Sequence, residues 1–361
     1  MSIRSRLILT TFLFLFACGC QKQEESFSIL SIGTEHDCIP NVSRTKPRFE
    51  LLTRSTHASA LQGGAAYGDY YFQFHGQNNK NSQGVASLFY GVEVFNLSTK
   101  TKVQEIILGF DCLKHNNSAS FGSQYYDSSD VFPLLYVSQE DANARYVTVY
   151  RIQGEEGCFT LTMVQIIFLP EINDGAKFSF PNCFVDLTSM RIVFSGFTVG
   201  DDSKYTFEEW ALPLINSGSS ISLGRITMTD GGDGKPVEVD GFTLPNGHIV
   251  RRNDNDIATE VKAVQLDDND AVNTFQIPNV NPYTGIYATA QGGCMYDGKV
   301  FQSFGSKDNS VLKIIDCNNK CVVSTLDLTL IENAEPEAVF IYLDTIGFAC
   351  NSTGRIKILH F

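Results

Sequence analysis

From Lys46 onward the apolar residues come in short runs of four to eight, broken by Gly, Asn, Asp and Ser. Outer runs such as 91–97 (GVEVFNL) and 103–108 (VQEIIL) alternate with a period near two, and no segment shows a sustained period of 3.6. Runs of that kind, bounded by turn residues, predict β-strands and not helices. A first strand is expected at 49–52. Four strands joined by turns then follow at 65–67, 70–74, 91–97 and 103–108, with Gly68-Asp69 as a tight hairpin.

The same phrase opens two such groups. QGGAAYGDYYFQ starts at Gln62 and QGGCMYDGKVFQ at Gln291, sharing Gln, Gly, Gly, Tyr, Phe and Gln at matching places. Weaker groups fill the interval, so that unit starts fall near 62, 118, 178, 238, 290 and 335. The unit near 178 is expected to use 191–195, 207–211 and 225–228. The one near 238 is expected to use 247–250 and 261–266. Repeated four-stranded units predict an all-β chain folded as a β-propeller of about six four-stranded antiparallel blades, with five or seven as alternatives. The last unit supplies only three strands (337–342, 346–350, 355–361). A three-stranded final blade would leave an open edge, so the spare N-terminal strand is expected to pair beside 355–361 and close the ring. The paired glycines are read as places of close backbone approach near the crowded axis.

The chain divides into a signal peptide at 1–19, a polar tether at 20–44 and one propeller domain at 45–361. Arg4 and Arg6 precede a ten-residue apolar run at 7–16, too short for a stable transmembrane helix and placed where a signal-peptide core belongs. The following Ala17-Cys18-Gly19-Cys20 resembles the bacterial lipobox. Cys20, preceded by three small residues, is the expected acylated N-terminus, with Cys18 as the alternative. Residues 21–25 (QKQEE) resemble the signal that sends Bacteroidota lipoproteins to the outer face of the outer membrane. Several acyl chains would anchor the protein stably there.

Composition narrows the partners. Hydrophobic residues make up 43% and charged residues 19%, which suits a globular domain. The formal net charge is −13, and removing residues 1–19 would take away two arginines and no acid. Without a basic run the chain is no nucleic-acid binder. A monomer with a glycan, peptide or envelope-protein partner is expected.

The loops that lead into innermost strands converge on one end of a propeller's channel and nominate site residues. These are His57, Gln62, His115, Asn117, Asn182, Asp240, Gln291, Glu335 and Glu337. Two histidines with carboxylates could bind a divalent metal or act as acid and base. The simpler role is hydrogen bonding to crowded backbone. Cys317 and Cys321 flank a turn and suggest either a cross-hairpin disulfide or two ordinary thiols, since a zinc site would need further ligands nearby. The acidic loops 230–235 (DGGDGK) and 267–270 fail the frames of calcium and phosphate loops. No cofactor is expected beyond weak calcium or another divalent metal. Tyr125, Tyr126 and Tyr283 could stack on sugar rings.

Residues 46–361 resemble propeller lipoproteins found in Bacteroidota, through QGGAAYGDYYFQ, HNNSASFG, FPLLYVSQ and AEPEAVFIY. The resemblance implies the fold and the envelope location and brings no catalytic signature. WD40 dipeptides, sialidase Asp-boxes and quinoprotein tryptophan motifs are absent. The expectation is a binding or scaffold module. The alternative is a polysaccharide lyase or glycoside hydrolase that uses the channel-face His, Asp and Glu residues.

Overall fold

The structure is a computed structural model that describes residues 41–43, 48–80, 86–108, 118–141, 144–170, 177–229, 234–245, 247, 249–252, 256–329 and 334–360. Five sheets carry the four-stranded antiparallel unit. The first blade runs Leu61–Tyr67, Tyr70–Lys80, Ala86–Asn96 and Thr101–Leu108. The second uses Ala119–Phe121, Leu135–Asp141, Ala144–Gln153 and Thr160–Phe168. The third uses Phe178–Val185, Arg191–Thr198, Asp201–Ala211 and Asn273–Pro278. The fourth uses Ala290–Tyr296, Lys299–Phe304, Val311–Asp316 and Cys321–Asp327. The fifth takes Pro336–Tyr342, Thr345–Cys350 and Arg355–His360, and its outer strand is Arg48–Arg54 from the start of the chain.

That last pairing closes the ring as the strand count requires. Arg48 lies opposite His360 and Arg54 opposite Arg355, in antiparallel register with one bulge near Leu52. Hydrophobic burial follows the same circuit. Five apolar clusters occupy the five gaps between consecutive sheets, and the last joins the fifth blade to the first through Leu52, Ala338, Phe340 and Ile356 against Leu61, Tyr71 and Phe95. Strands of a propeller are covered on both faces. This explains runs such as 311–316, in which every residue is buried.

The segment 212–272 departs from the expected plan. The strand Gly224–Thr229 does not complete the third blade. It joins Pro236–Thr243 and Ile249–Arg251 in a separate three-stranded sheet. Glu260–Gln265 does not belong to a unit of its own either. It pairs in parallel with Thr160–Phe168, with Ser219–Ser222 on its far side, and so extends the second blade to six strands. The unit expected near 238 is therefore an excursion between two strands of the third blade. Phe242, Leu244 and Val250 anchor it on the core shared by the first two blades. Asn41–Ser43 covers the outer edge of the fourth blade by parallel pairing with Cys321–Asp327. Covered edges offer no template for stray strand pairing.

Candidate functional site

The repeated phrase has a local structural cause. In the first blade the ladder slips between Leu61 and Gly64, and in the fourth between Ala290 and Gly293. Such a bulge leaves backbone carbonyls without ladder partners. The glutamine that ends each phrase supplies them. Gln73 Nε2 donates to the carbonyls of Gln62 (2.6 Å) and Gly63 (3.2 Å), and Gln302 Nε2 to the carbonyl of Gln291 (3.4 Å). Glycine is needed because a Cβ on Gly64 would lie 2.3 Å from Tyr71 Oη, and one on Gly293 would lie 2.7 Å from both Phe184 Cε1 and the carbonyl of Phe301.

The nominated residues separate accordingly. Gln62 and Gln291 lie at the N-terminal ends of inner strands, with their backbones held in these bulges. Gln291 Nε2 donates to Glu335 Oε1 (2.8 Å), across to the next blade. Asn351 Nδ2 donates to Glu337 Oε1 (3.0 Å) and Glu335 Oε2 (3.4 Å), gathering both carboxylates on one amide. Asn182 is buried in the inner strand of the third blade, and its side-chain oxygen has no partner. Asp240 does not lead into an inner strand. It sits on the excursion sheet, paired with Arg225 (3.0 Å) and Arg252 (2.9 Å). His115, Asn117, Cys18 and Cys20 lie outside the described residues, as does 230–233.

His57 belongs to a charged cluster built between the closing strand and the first blade. His57 Nε2 is 2.8 Å from Glu105 Oε1, and its ring stacks on His75 at 3.8 Å with a 9° interplanar angle. His75, Glu93 and Glu105 sit on successive strands of the first blade. Glu93 is fully buried and accepts from the Ser55 and Thr56 hydroxyls, the Thr56 amide and Lys102 Nζ (2.9 Å). Lys102 also donates to Glu105 Oε2 (2.8 Å). Burial pushes the pKa of Glu93 upward, but the bonds from Ser55, Thr56 and Lys102 outweigh it and hold the pKa below the usual carboxylate value. His75 is pushed down to about 4, first by burial and then by the neighbouring His57. Sequence reading missed His75 and Glu105. The available signal was period two: Gln73 and His75 share the polar face of a strand whose Phe72 and Phe74 face the other core.

The cavity lies at the opposite end of the ring. It measures about 420 Å³ and is lined by the C-terminal ends of inner strands from all five blades. Ala65, Ala119, Val185, Met295 and Ile341 give it an apolar wall. Its rim repeats a pairing. Tyr296, last in its inner strand, reaches Asp344 in the next blade's turn (2.9 Å). Tyr342, last in its own, reaches Asp69 in the following turn (3.1 Å). Tyr67, at the equivalent place in the first blade, meets the hydroxyl of Tyr125 (2.8 Å). Tyr126 lies under the Arg151 guanidinium, 4.7 Å from its ring centre. Tyr283 is half-buried against the core between the third and fourth blades and donates to the Thr325 carbonyl, so packing accounts for it.

Two other features take structural roles. Cys317 is a buried thiol, pushed up to about 12 by burial and by Glu209 and Asp316, whereas Cys321 is disulfide-bonded. The expected bridge between them is thus not formed. Cys158, Cys183, Cys294 and Cys350 are also thiols, so the partner of Cys321 lies outside the described residues. Asp267 caps a short 3-10 turn by accepting from the Asn269 amide (2.8 Å), as a solvated turn would.

No family model matches the chain, and no curated protein matches it. Similar solved structures include the β-propeller domain of the Trilobed protease from Pyrococcus furiosus, at 9% identity over 83% of this chain and 92% of that one, with a TM-score of 0.31. Another is the GH93 α-L-arabinofuranosidase of Fusarium graminearum in complex with arabinobiose, at 7% identity over 87% and 98%, with a TM-score of 0.38. A third is the Dos1 propeller, at 11% identity over 87% and 94%, with a TM-score of 0.30. The propeller reading itself rests on the five sheets and their closure.

Proposed function

We propose that the protein is a lipid-anchored protein of the bacterial outer-membrane surface whose propeller acts as a ligand-binding module, with the five-blade cavity as its site. The observation that carries the reading is the cavity's construction. Every blade contributes apolar wall, and tyrosine–aspartate pairs form the rim. Concave apolar sites with a few placed polar groups are where small ligands bind. Asp69 and Asp344 are exposed and the chain is acidic, so the ligand is neutral or cationic with an apolar face. A glycan terminus fits this chemistry, with ring faces against the tyrosines and hydroxyls toward the carboxylates. The apolar run and lipobox-like Cys20 of the 1–25 segment support the anchoring, and a module at the cell surface would meet such ligands.

The hydrolase reading has less support. Such an enzyme sets two carboxylates across the bond it cleaves. Glu335 and Glu337 instead share the Asn351 amide, and Gln291 occupies Glu335 further.

The test is an array of neutral oligosaccharides and cationic peptides probed with the protein and with Ala66→Trp, which fills the cavity from its wall. Retention of a ligand class by the protein alone, with both proteins melting alike, supports the assignment. Retention undiminished by Ala66→Trp, or no retention at all, removes the cavity as the site.

A further inference from the structure

We propose that His57, His75 and Glu105 form a mononuclear site for a borderline divalent cation, of which Zn2+ is the representative. The three side chains come from separate elements. His57 follows the closing strand Arg48–Arg54, His75 lies on the second strand of the first blade, and Glu105 lies on its fourth. One ligand atom from each lies within 4.8 Å of the other two. The stacked imidazoles point the same nitrogen at the same oxygen. His57 Nε2 is 2.8 Å and His75 Nε2 is 3.8 Å from Glu105 Oε1.

His75 is the observation that goes beyond proximity. It is 3% exposed, and neither of its ring nitrogens has a hydrogen-bond partner. Buried polar groups are nearly always partnered, and an exception calls for a cause such as an ion. Space for His75 is kept deliberately small. A Cβ on Gly91 would lie 2.7 Å from its Nε2. The ring thus fits beside position 91 only because that residue has no side chain, and its Nε2 lies 3.8 Å from Glu105 Oε1.

The donor set specifies the metal. Two imidazoles and one carboxylate suit Zn2+ and the later divalent transition metals, whereas Ca2+ and Mg2+ prefer oxygen ligands throughout. Three protein ligands leave a fourth position for water or a ligand atom. Glu105 is also oriented from behind. Its other oxygen accepts from Lys102, which is held in turn by buried Glu93. Support of this kind behind a ligating carboxylate is how metal sites are held in place. Binding takes the place of the His57–Glu105 hydrogen bond, and both imidazoles ligate through an unprotonated nitrogen.

The inference does not rest on the cavity reading, because the two places share no residue. The purified full-length protein, stripped with a chelator and returned to buffer, is titrated with Zn2+ alone by calorimetry. A parallel titration uses Co2+, whose visible absorption reports coordination by nitrogen and oxygen. His57→Gln and Glu105→Gln change partly exposed positions and leave His75 itself in place, and the melting temperature of each variant checks that it remains folded. One equivalent of Zn2+ bound by the parent, weakened at least about tenfold in each variant, is the expected result. No binding by the folded parent, or binding undiminished in either variant, overturns the proposal.

Discussion

Lys313 offers a direct test of how this core tolerates charge. It lies mid-strand in the fourth blade, 3% exposed, with its Nζ donating to the Pro278 carbonyl (2.7 Å) and lying 4.7 Å from the Phe304 ring centre. Burial alone pushes it down from 10.5 to about 8. At about 1.4 kcal/mol for each pH unit, the charged form costs the folded state about 3 kcal/mol relative to the neutral amine. A folded pKa below the unfolded one means that stability is fully present above 10.5 and is lost as pH falls through about 8. Lys313→Met keeps the aliphatic volume and removes the charge. It also leaves the Pro278 carbonyl without its donor, which returns about 1 kcal/mol. The variant should therefore be more stable than the parent at pH 7 by about 1–2 kcal/mol, an advantage that vanishes by pH 10. Urea unfolding at several pH values between 7 and 10 measures it, and taking the difference cancels every other titrating group. A difference that stays constant across that range, or a variant less stable at pH 7, would refute the reasoning.

Two further outcomes follow from local geometry. Gly64→Ala should destabilise by about 2–3 kcal/mol, because its new Cβ meets Tyr71 Oη at 2.3 Å and the Phe72 carbonyl at 2.9 Å, whereas Gly68→Ala, at φ 56° with open space around it, should cost only about 1 kcal/mol by thermal unfolding. Iodoacetamide applied to the native protein should modify exposed Cys158 and spare Cys183, Cys294, Cys317 and Cys350, all buried, as read by peptide mass spectrometry; rapid labelling of Cys317 would contradict its packing.

Closure of the ring was legible because it follows from counting. Three strands at the C-terminus and one spare strand at the N-terminus have one economical arrangement, and Arg48–Arg54 adopts it beside Arg355–His360. The third blade was less legible. Its fourth strand, Asn273–Pro278, buries only Phe275 and Ile277 and reads as a weak apolar run. Meanwhile the excursion offers Gly224–Thr229 and Glu260–Gln265 at the spacing a blade would use. Local pattern reports that a strand exists, while its partner is decided by long-range packing, here by Phe242 and Val250 on the first two blades. Candidate-site residues divide the same way. His57 was found because its position before an inner strand is local. His75 and Glu105 were not, because what brings them together is a register across three strands that places His75 opposite Gly91 and Glu93 opposite Glu105, beyond the period-two pattern that marks His75 locally.

The two ends of the ring differ for a physical reason, and the difference argues for where a ligand would sit. Inner strands begin where five chains crowd together, and the bulges there free carbonyls that must be partnered. Gln73, Gln302 and Ser303 meet that demand from second strands, with Ser303 Oγ bonding the carbonyls of Gly292 (2.9 Å) and Pro336 (2.7 Å). Gln291, Glu335 and Glu337 are held there by side-chain bonds among themselves and to Asn351, which leaves them less to offer a ligand. At the other end the inner strands of the first, fourth and fifth blades finish in two-residue hairpins whose backbones are already paired, with Tyr67 opposite Tyr70, Tyr296 opposite Lys299 and Tyr342 opposite Thr345. There buried Asp186, from the third blade, accepts from the Gly298 amide in the fourth blade's turn (3.2 Å). Exposed Asp69 and Asp344 each accept one hydrogen bond from a rim tyrosine, Tyr342 and Tyr296, and keep their remaining acceptor capacity toward solvent, where an incoming hydroxyl or amine can use it. Recognition of an uncharged or cationic ligand is cheapest where carboxylates stand exposed beside an apolar wall, and Asp69 and Asp344 meet that condition at the cavity rim.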